Sequence, residues 1–284
     1  MRALWLVPLL ASAACTAARP SYMADSPRTE EDVRRIVDGI RAELGADFTI
    51  ERSEEIFFVA SNGSASGLKE AHSTLSRMMG HLYSGYFEKR PTVPIRVYLF
   101  RDRESYDAYC RKTYQEPPST PFGFYMAGER KMVMNISTGT GTLAHEIVHP
   151  LIAEDFPRDP HWFNEGFASL YEQSRPQGKR MIGLVNWRLP RLQRALREKR
   201  PVPLSRLFTL DGDEFYGEAR DLNYATARYL CLYLQEKGLL EPFYKEYRKD
   251  PSGPAILEKV TASTLETLET EWSGWVLGLK YENR

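Results

Sequence analysis

Apolar residues in the stretch Ser21–Leu44 fall at Val33, Ile36, Val37, Ile40 and Leu44. Spacings of three and four place them on one stripe of a helix. The next run, "EIFFVAS", is a short β-branched and aromatic block and reads as a strand. "SGLKEAHSTLSRMMGHLYSGYF" returns to helical spacing, "PIRVYLF" is a second strand, and "DRESYDAYCRKTY" is a helix opened by Asp102. "FGFYMAGERKMVMNIS" predicts two strands joined by a turn at Gly128. From Thr140 the pattern turns mostly helical: "WFNEGFASLYEQ", "WRLPRLQRALREK", "LNYATARYLCLYLQEK", "EPFYKEYRK" and "TLETLETEWSGWVLGLK" follow one another with Pro and Gly at the joins. The expected fold is therefore α+β, with a mixed α/β lobe over 21–139 and a mostly helical lobe over 140–284. Together they form one continuous domain with a cleft between its lobes.

Composition narrows the partners. With 284 residues the chain can bury a large core, and Lys plus Arg equal Asp plus Glu at 38 each. There is no global basic field to hold nucleic acid or an anionic membrane. Arg2, the apolar run Leu4–Leu10 and the small residues before Cys15 have the layout of a secretory signal peptide over 1–20. That layout predicts an exported protein, periplasmic or extracellular. "SAAC" offers Cys15 as a lipid anchor, with ordinary cleavage near Ala14 or Ala18 as the alternative. No other run approaches the ~20 apolar residues of a spanning helix. Export would permit a disulfide between Cys110 and Cys231, but both sit among aromatic and aliphatic residues and read as two separate buried thiols.

The chemistry concentrates in "LAHEIVHPLIAEDF", whose core His145-Glu146-Ile147-Val148-His149 is an H-E-x-x-H pattern. Two His four residues apart lie about 40° apart around a helix, so both imidazoles reach one ion. Glu146 points alongside them and can act as a general base without being a ligand. A catalytic zinc needs a third protein ligand, and three candidates follow. Asp155 has the spacing of a metzincin ligand, but Ile152 stands where that pattern needs Gly. His161 is chemically suitable, yet an isolated His is more often a surface residue. Glu165, flanked by Trp162, Phe163, Phe167 and Ala168, would be costly to bury unless paired or bound to metal, and is favoured. Asp159 is placed to cap its helix, with Pro160 in the first position. Ser169, four residues after Glu165, either supports the ligand or is a plain surface serine.

"HEIVH" followed by "WFNEGFASLYE" resembles the gluzincin metallopeptidases, in particular the small peptidase MA-like domains related to the aminopeptidase N and thermolysin-like catalytic domain. The resemblance is specific over Leu143–Glu172. It implies a thermolysin-like zincin fold, one zinc on His145, His149 and Glu165, and Glu146 as general base, hydrolysing a peptide or protein substrate. The family's transition-state tyrosine opens a helix, and "YATARYLCLYL" puts Tyr224 at that point, although Ala225, Thr226, Ala227 and Arg228 depart from the pattern. The alternative for Tyr224 is a core tyrosine alongside Leu230 and Leu234. The family's element for reading a free amino terminus is absent; "GERKMVMNIS" occupies its place, and its strand "RKMVMNIS" would pair with substrate if it were an open edge. Two other functions fit the same residues: a non-catalytic envelope binding module on a zincin fold, and hydrolysis of a non-peptide amide. Pro150 removes a helical donor and disfavours helical geometry at His149, so a bend or loosening is expected after His149.

Overall fold

The computed structural model describes residues 29–251 and 253–282, and the expected signal peptide, with Cys15, lies outside them. A first helix, α1 (Glu30–Leu44), starts at Thr29, whose side chain and that of Asp32 cap each other's backbone N–H groups. Its stripe is the expected one, with Ile36 and Ile40 fully buried. β1 (Thr49–Ser53) and β2 (Phe57–Ser61) form an antiparallel pair, and α2 (Ala65–Gly85) leads to β3 (Ile95–Phe100). After α3 (Arg103–Tyr114) come β4 (Gly123–Met126) and β5 (Lys131–Asn135), joined by the expected turn. β1 is an addition to the sequence pattern: "TIERS" is an edge strand whose only apolar residue is half-buried Ile50, too little to show alternation.

The five strands form one mixed sheet in the order β1-β2-β3-β5-β4. β2, β3 and β5 run parallel at its centre, with Phe57 opposite Ile95 and Val97 opposite Met132, while β1 and β4 run antiparallel at the two edges. Strands covered on both faces read as unbroken apolar runs, as "FFVA" and "VYLF" do. One face is covered by α1 and α3, which enclose Phe58, Ala60, Tyr98, Phe100 and Val133. On that face Arg96 and Lys131 are also buried, held by Glu43 and Glu129: Arg96 Nη1 lies 2.9 Å from Glu43 Oε2, and Lys131 Nζ lies 2.5 Å from Glu129 Oε2. Cys110 belongs to this smaller core and Cys231 to the larger one, and both are free thiols, as expected.

The other face meets α2 and the helical half of the chain in one large core. A 3₁₀ turn (Ile136–Thr138) leads from β5 into α4 (Gly141–Glu146), α5 (Val148–Asp155) and α6 (His161–Leu170). A hairpin of β6 (Ser174–Gln177) and β7 (Arg180–Gly183) interrupts the helices; it turns at Gly178, at φ 60°, a conformation that favours glycine. Then come α7 (Leu189–Arg197), the single-turn α8 (Leu204–Leu207) and α9 (Gly212–Phe215), the long α10 (Arg220–Glu236), α11 (Leu240–Tyr247), α12 (Ala255–Thr261) and α13 (Leu265–Gly278). The architecture is thus mixed α/β, consistent with the α+β expectation. No helix among the described residues is long and apolar enough to cross a membrane.

Candidate metal centre

His145 and Glu146 close α4, and His149 stands in the first turn of α5. The loosening expected after His149 is displaced. It falls at Ile147, which keeps helical torsions (φ −66°, ψ −26°) but belongs to neither helix, and α5 continues through Pro150 to Asp155. The physical reason is the partner that Pro150 would have had. Its missing N–H would bond the carbonyl of Glu146, and its ring crowds that same carbonyl, so the ladder is interrupted one turn before the proline. The two imidazoles still face each other, with ring centroids 4.9 Å apart.

α6 brings Glu165 to them. His145, His149 and Glu165 each offer a ligand atom, and these atoms lie within 4.8 Å of one another, so the group can hold a metal ion. The tightest spacing is His145 Nε2 to Glu165 Oε2, 3.3 Å. Two donors each ~2.0–2.1 Å from a tetrahedral ion stand about 3.3 Å apart, so this pair already has ligand spacing. Glu165 Oε2 is buried with no hydrogen-bond partner, an orphan that an ion would satisfy. Both Glu165 and His145 are under a tenth exposed. Burial works against the charged form of each, yet the two favour each other's charged form: the imidazole of His145 beside it holds the Glu165 carboxyl below its usual range, and Glu165 and Glu172 raise His145.

The outer nitrogens and oxygens are also held. His149 Nδ1 lies 2.5 Å from Asn164 Oδ1, which accepts its proton and leaves Nε2 for an ion; the Asn164 amide in turn donates to Asp159. Asp159 therefore serves this chain of bonds and does not cap α6, whose N-cap is Pro160. Burial pushes the Asp159 carboxyl up to about 7, helped by the charge of Glu165 and opposed by the Asn164 bond. His145 Nδ1 faces Glu172 Oε1 at 3.5 Å, and Glu172 is clamped by Arg188 (2.7 and 3.1 Å) and by the Asn186 amide (3.1 Å). Tyr216 donates to Glu165 Oε1 at 2.9 Å. Ser169 is fully buried and bonds the backbone carbonyl of Glu165, so it neither holds the ligand carboxylate nor sits on the surface.

Glu146 stands beside the group, with Oε2 3.8 Å from His149 Nε2. Burial pushes its carboxyl upward; His145 and His149 oppose this, and the nearby charges of Glu165 and Glu172 add to it. Tyr224 lies in the second turn of α10, and burial first and the charge of Glu165 second hold its hydroxyl in the neutral form. Its ring packs on Phe215 at 5.3 Å, and the Arg188 guanidinium covers it at 5.1 Å. The two weaker candidates lie elsewhere. Asp155 is bound by Tyr244 (2.6 Å), Arg248 (2.7 Å) and the backbone N–H groups of Glu88 and Lys89, and pins the end of α5 to its neighbours. His161 is exposed and rests edge-on against Tyr216.

Sequence reasoning missed Asn164, Glu172, Arg188, Asn186 and Tyr216 as supports. Glu172 had a signal, since seven residues after Glu165 is two helical turns on the same side. Arg188, Asn186 and Tyr216 had none, because they reach the site from separate elements. The chain matches no family model and no curated protein.

Proposed function

We propose that this chain is an exported zinc-dependent metallopeptidase of the gluzincin type, built on a thermolysin-like catalytic fold. The observation that carries the reading is the buried set His145, His149 and Glu165 with its orphaned carboxylate oxygen, and Glu146 next to it as a carboxylate outside that set. A purely structural ion has no use for such a base. Zinc held by these three residues would lower the pKa of water to around 7 and polarise a carbonyl group.

The protein's own residues supply the rest. Glu146 takes the proton from the attacking water at its carboxylate and returns it to the leaving amine. Its raised proton affinity suits that exchange near neutral pH. Tyr224, kept neutral, donates its phenolic proton in a hydrogen bond to the substrate oxygen as negative charge grows there. Asn164 and Glu172 orient the imidazoles. The strand expected to receive an extended substrate is different from the one foreseen: β5, which carries "RKMVMN", is interior, paired with β3 and β4. β4 is the edge strand on this side of the sheet, and α4, which carries His145, packs against it, so a peptide would extend the sheet there.

Metal analysis with an unbiased peptide-cleavage profile tests the proposal. Wild type should carry about one zinc per chain and cleave peptides. Glu146→Gln should keep the metal and lose roughly a hundredfold or more of the turnover. A fully active Glu146→Gln protein would sink the mechanism, and uncleaved peptide recovered on metal-replete wild type would point to a binding module instead.

A further inference from the structure

The third ligand has a partner outside the H-E-x-x-H pattern. Tyr216 donates to Glu165 Oε1 at 2.9 Å, while Oε2 faces His145 Nε2 at 3.3 Å and makes no hydrogen bond. The two oxygens of one carboxylate are thereby given different tasks. We propose that Tyr216 is a positioning residue that restricts Glu165 to one-oxygen metal ligation, and that Asn223 locks Tyr216 in place against the helix carrying Tyr224. This rests on the metal-centre reading above.

Tyr216 directly follows the single turn α9, which is stiffened by a reciprocal cap. Asp211 accepts from the Glu214 N–H at 2.9 Å, and Glu214 Oε2 accepts from the Asp211 N–H at 3.2 Å. The ring is then held on its sides by Phe215 at 5.2 Å and His161 at 5.4 Å, so it cannot swing away without losing both contacts. Asn223 is buried, and its amide donates to the carbonyls of Phe215 (2.9 Å) and Glu214 (3.2 Å). It is also the residue before Tyr224 in α10. One side chain therefore joins the segment that presents Tyr216 to the turn that presents Tyr224, whose rings stand 6.3 Å apart beside the same carboxylate. If Glu165 gave both oxygens to the ion, the phenol bond at Oε1 would have to weaken. With that bond intact, only Oε2 would be left to ligate and a coordination position would stay open for substrate.

Tyr216→Phe keeps the ring packing and deletes the donor. Zn²⁺ affinity, measured by competition with a chelator, should fall by roughly 10–100-fold. The visible bands of the Co²⁺-substituted protein should weaken as Glu165 takes up two-oxygen ligation and the ion becomes five-coordinate. Tyr224→Phe, by contrast, should hold Zn²⁺ within about twofold of wild type and keep its Co²⁺ bands while losing turnover. Asn223→Ala should weaken Zn²⁺ in the same direction as Tyr216→Phe. If wild type binds zinc and Tyr216→Phe binds it equally well with unchanged Co²⁺ bands, the assignment of Tyr216 is overturned and the metal centre stands. If wild type binds neither ion, the metal-centre reading itself fails.

Discussion

Replacing Gly166 with alanine sets two effects of opposite sign against each other. In an open helix interior the change would stabilise by about 0.5–1 kcal/mol, because glycine loses the most backbone freedom on folding. Gly166, however, lies where α6 packs on α10, and a Cβ there would stand 2.8 Å from the carbonyl oxygen of Ala227, 2.9 Å from its carbon and 3.0 Å from its Cβ. None of these is the free end of a flexible side chain. The two backbones must part by roughly half an ångström to restore ordinary contact, and overpacking of that kind costs about 1–3 kcal/mol. Against the gain from glycine the clash leaves a net loss of up to about 2.5 kcal/mol, centred near 1. The displacement also lands on the chemistry, since Gly166 follows Glu165 and Ala227 lies three residues after Tyr224. Urea unfolding of chelated protein should show a lower midpoint with an unchanged slope, and turnover should fall roughly tenfold while metal content holds. A Gly166→Ala protein as stable as wild type or more so would refute the claim that this helix contact has no room.

Two further outcomes test parts of the fold away from the metal. Glu43→Ala takes one carboxylate from the buried Arg96 and Lys131, which keep Glu129 beside them among the described residues, and should destabilise by about 3 kcal/mol in urea melts; a loss under about 0.5 kcal/mol would show that the network is not holding α1 to the sheet. His81 is 2 % exposed, and burial together with the charge of Arg180 depresses it to about 4. The unfolded chain binds a proton near pH 6.5 and the folded one does not until about 4, so stability is present above 6.5 and is lost as pH falls toward 4. The difference is roughly 3 kcal/mol, and wild type should lose that much more than His81→Gln between pH 7.5 and 4; parallel curves would rule it out.

Short-range patterns carried most of what could be read without coordinates. Periodicity places α1, α2, α3, β2, β3 and the β4–β5 pair, because each buries its own stripe or run, and helical spacing alone puts His145, Glu146 and His149 of H-E-x-x-H side by side, whereas Glu165 stood out by its apolar flanks and by the resemblance of "WFNEGFA" and reaches them only through the packing of α6. The same local logic shows that Pro150 must disturb its helix. Where the disturbance falls was decided by the carbonyl that loses its partner, which puts it at Ile147 rather than after His149. Tertiary packing decided the rest: that β4 and not β5 is the edge strand on that side, that Asp155 is spent on Arg248 and Tyr244, and that Tyr216, Arg188 and Asn186 close around the candidate metal centre. Those residues arrive from different elements to satisfy charges buried by α4 and α6. No periodicity encodes such a meeting, because a buried carboxylate requires a partner without specifying where along the chain the partner stands.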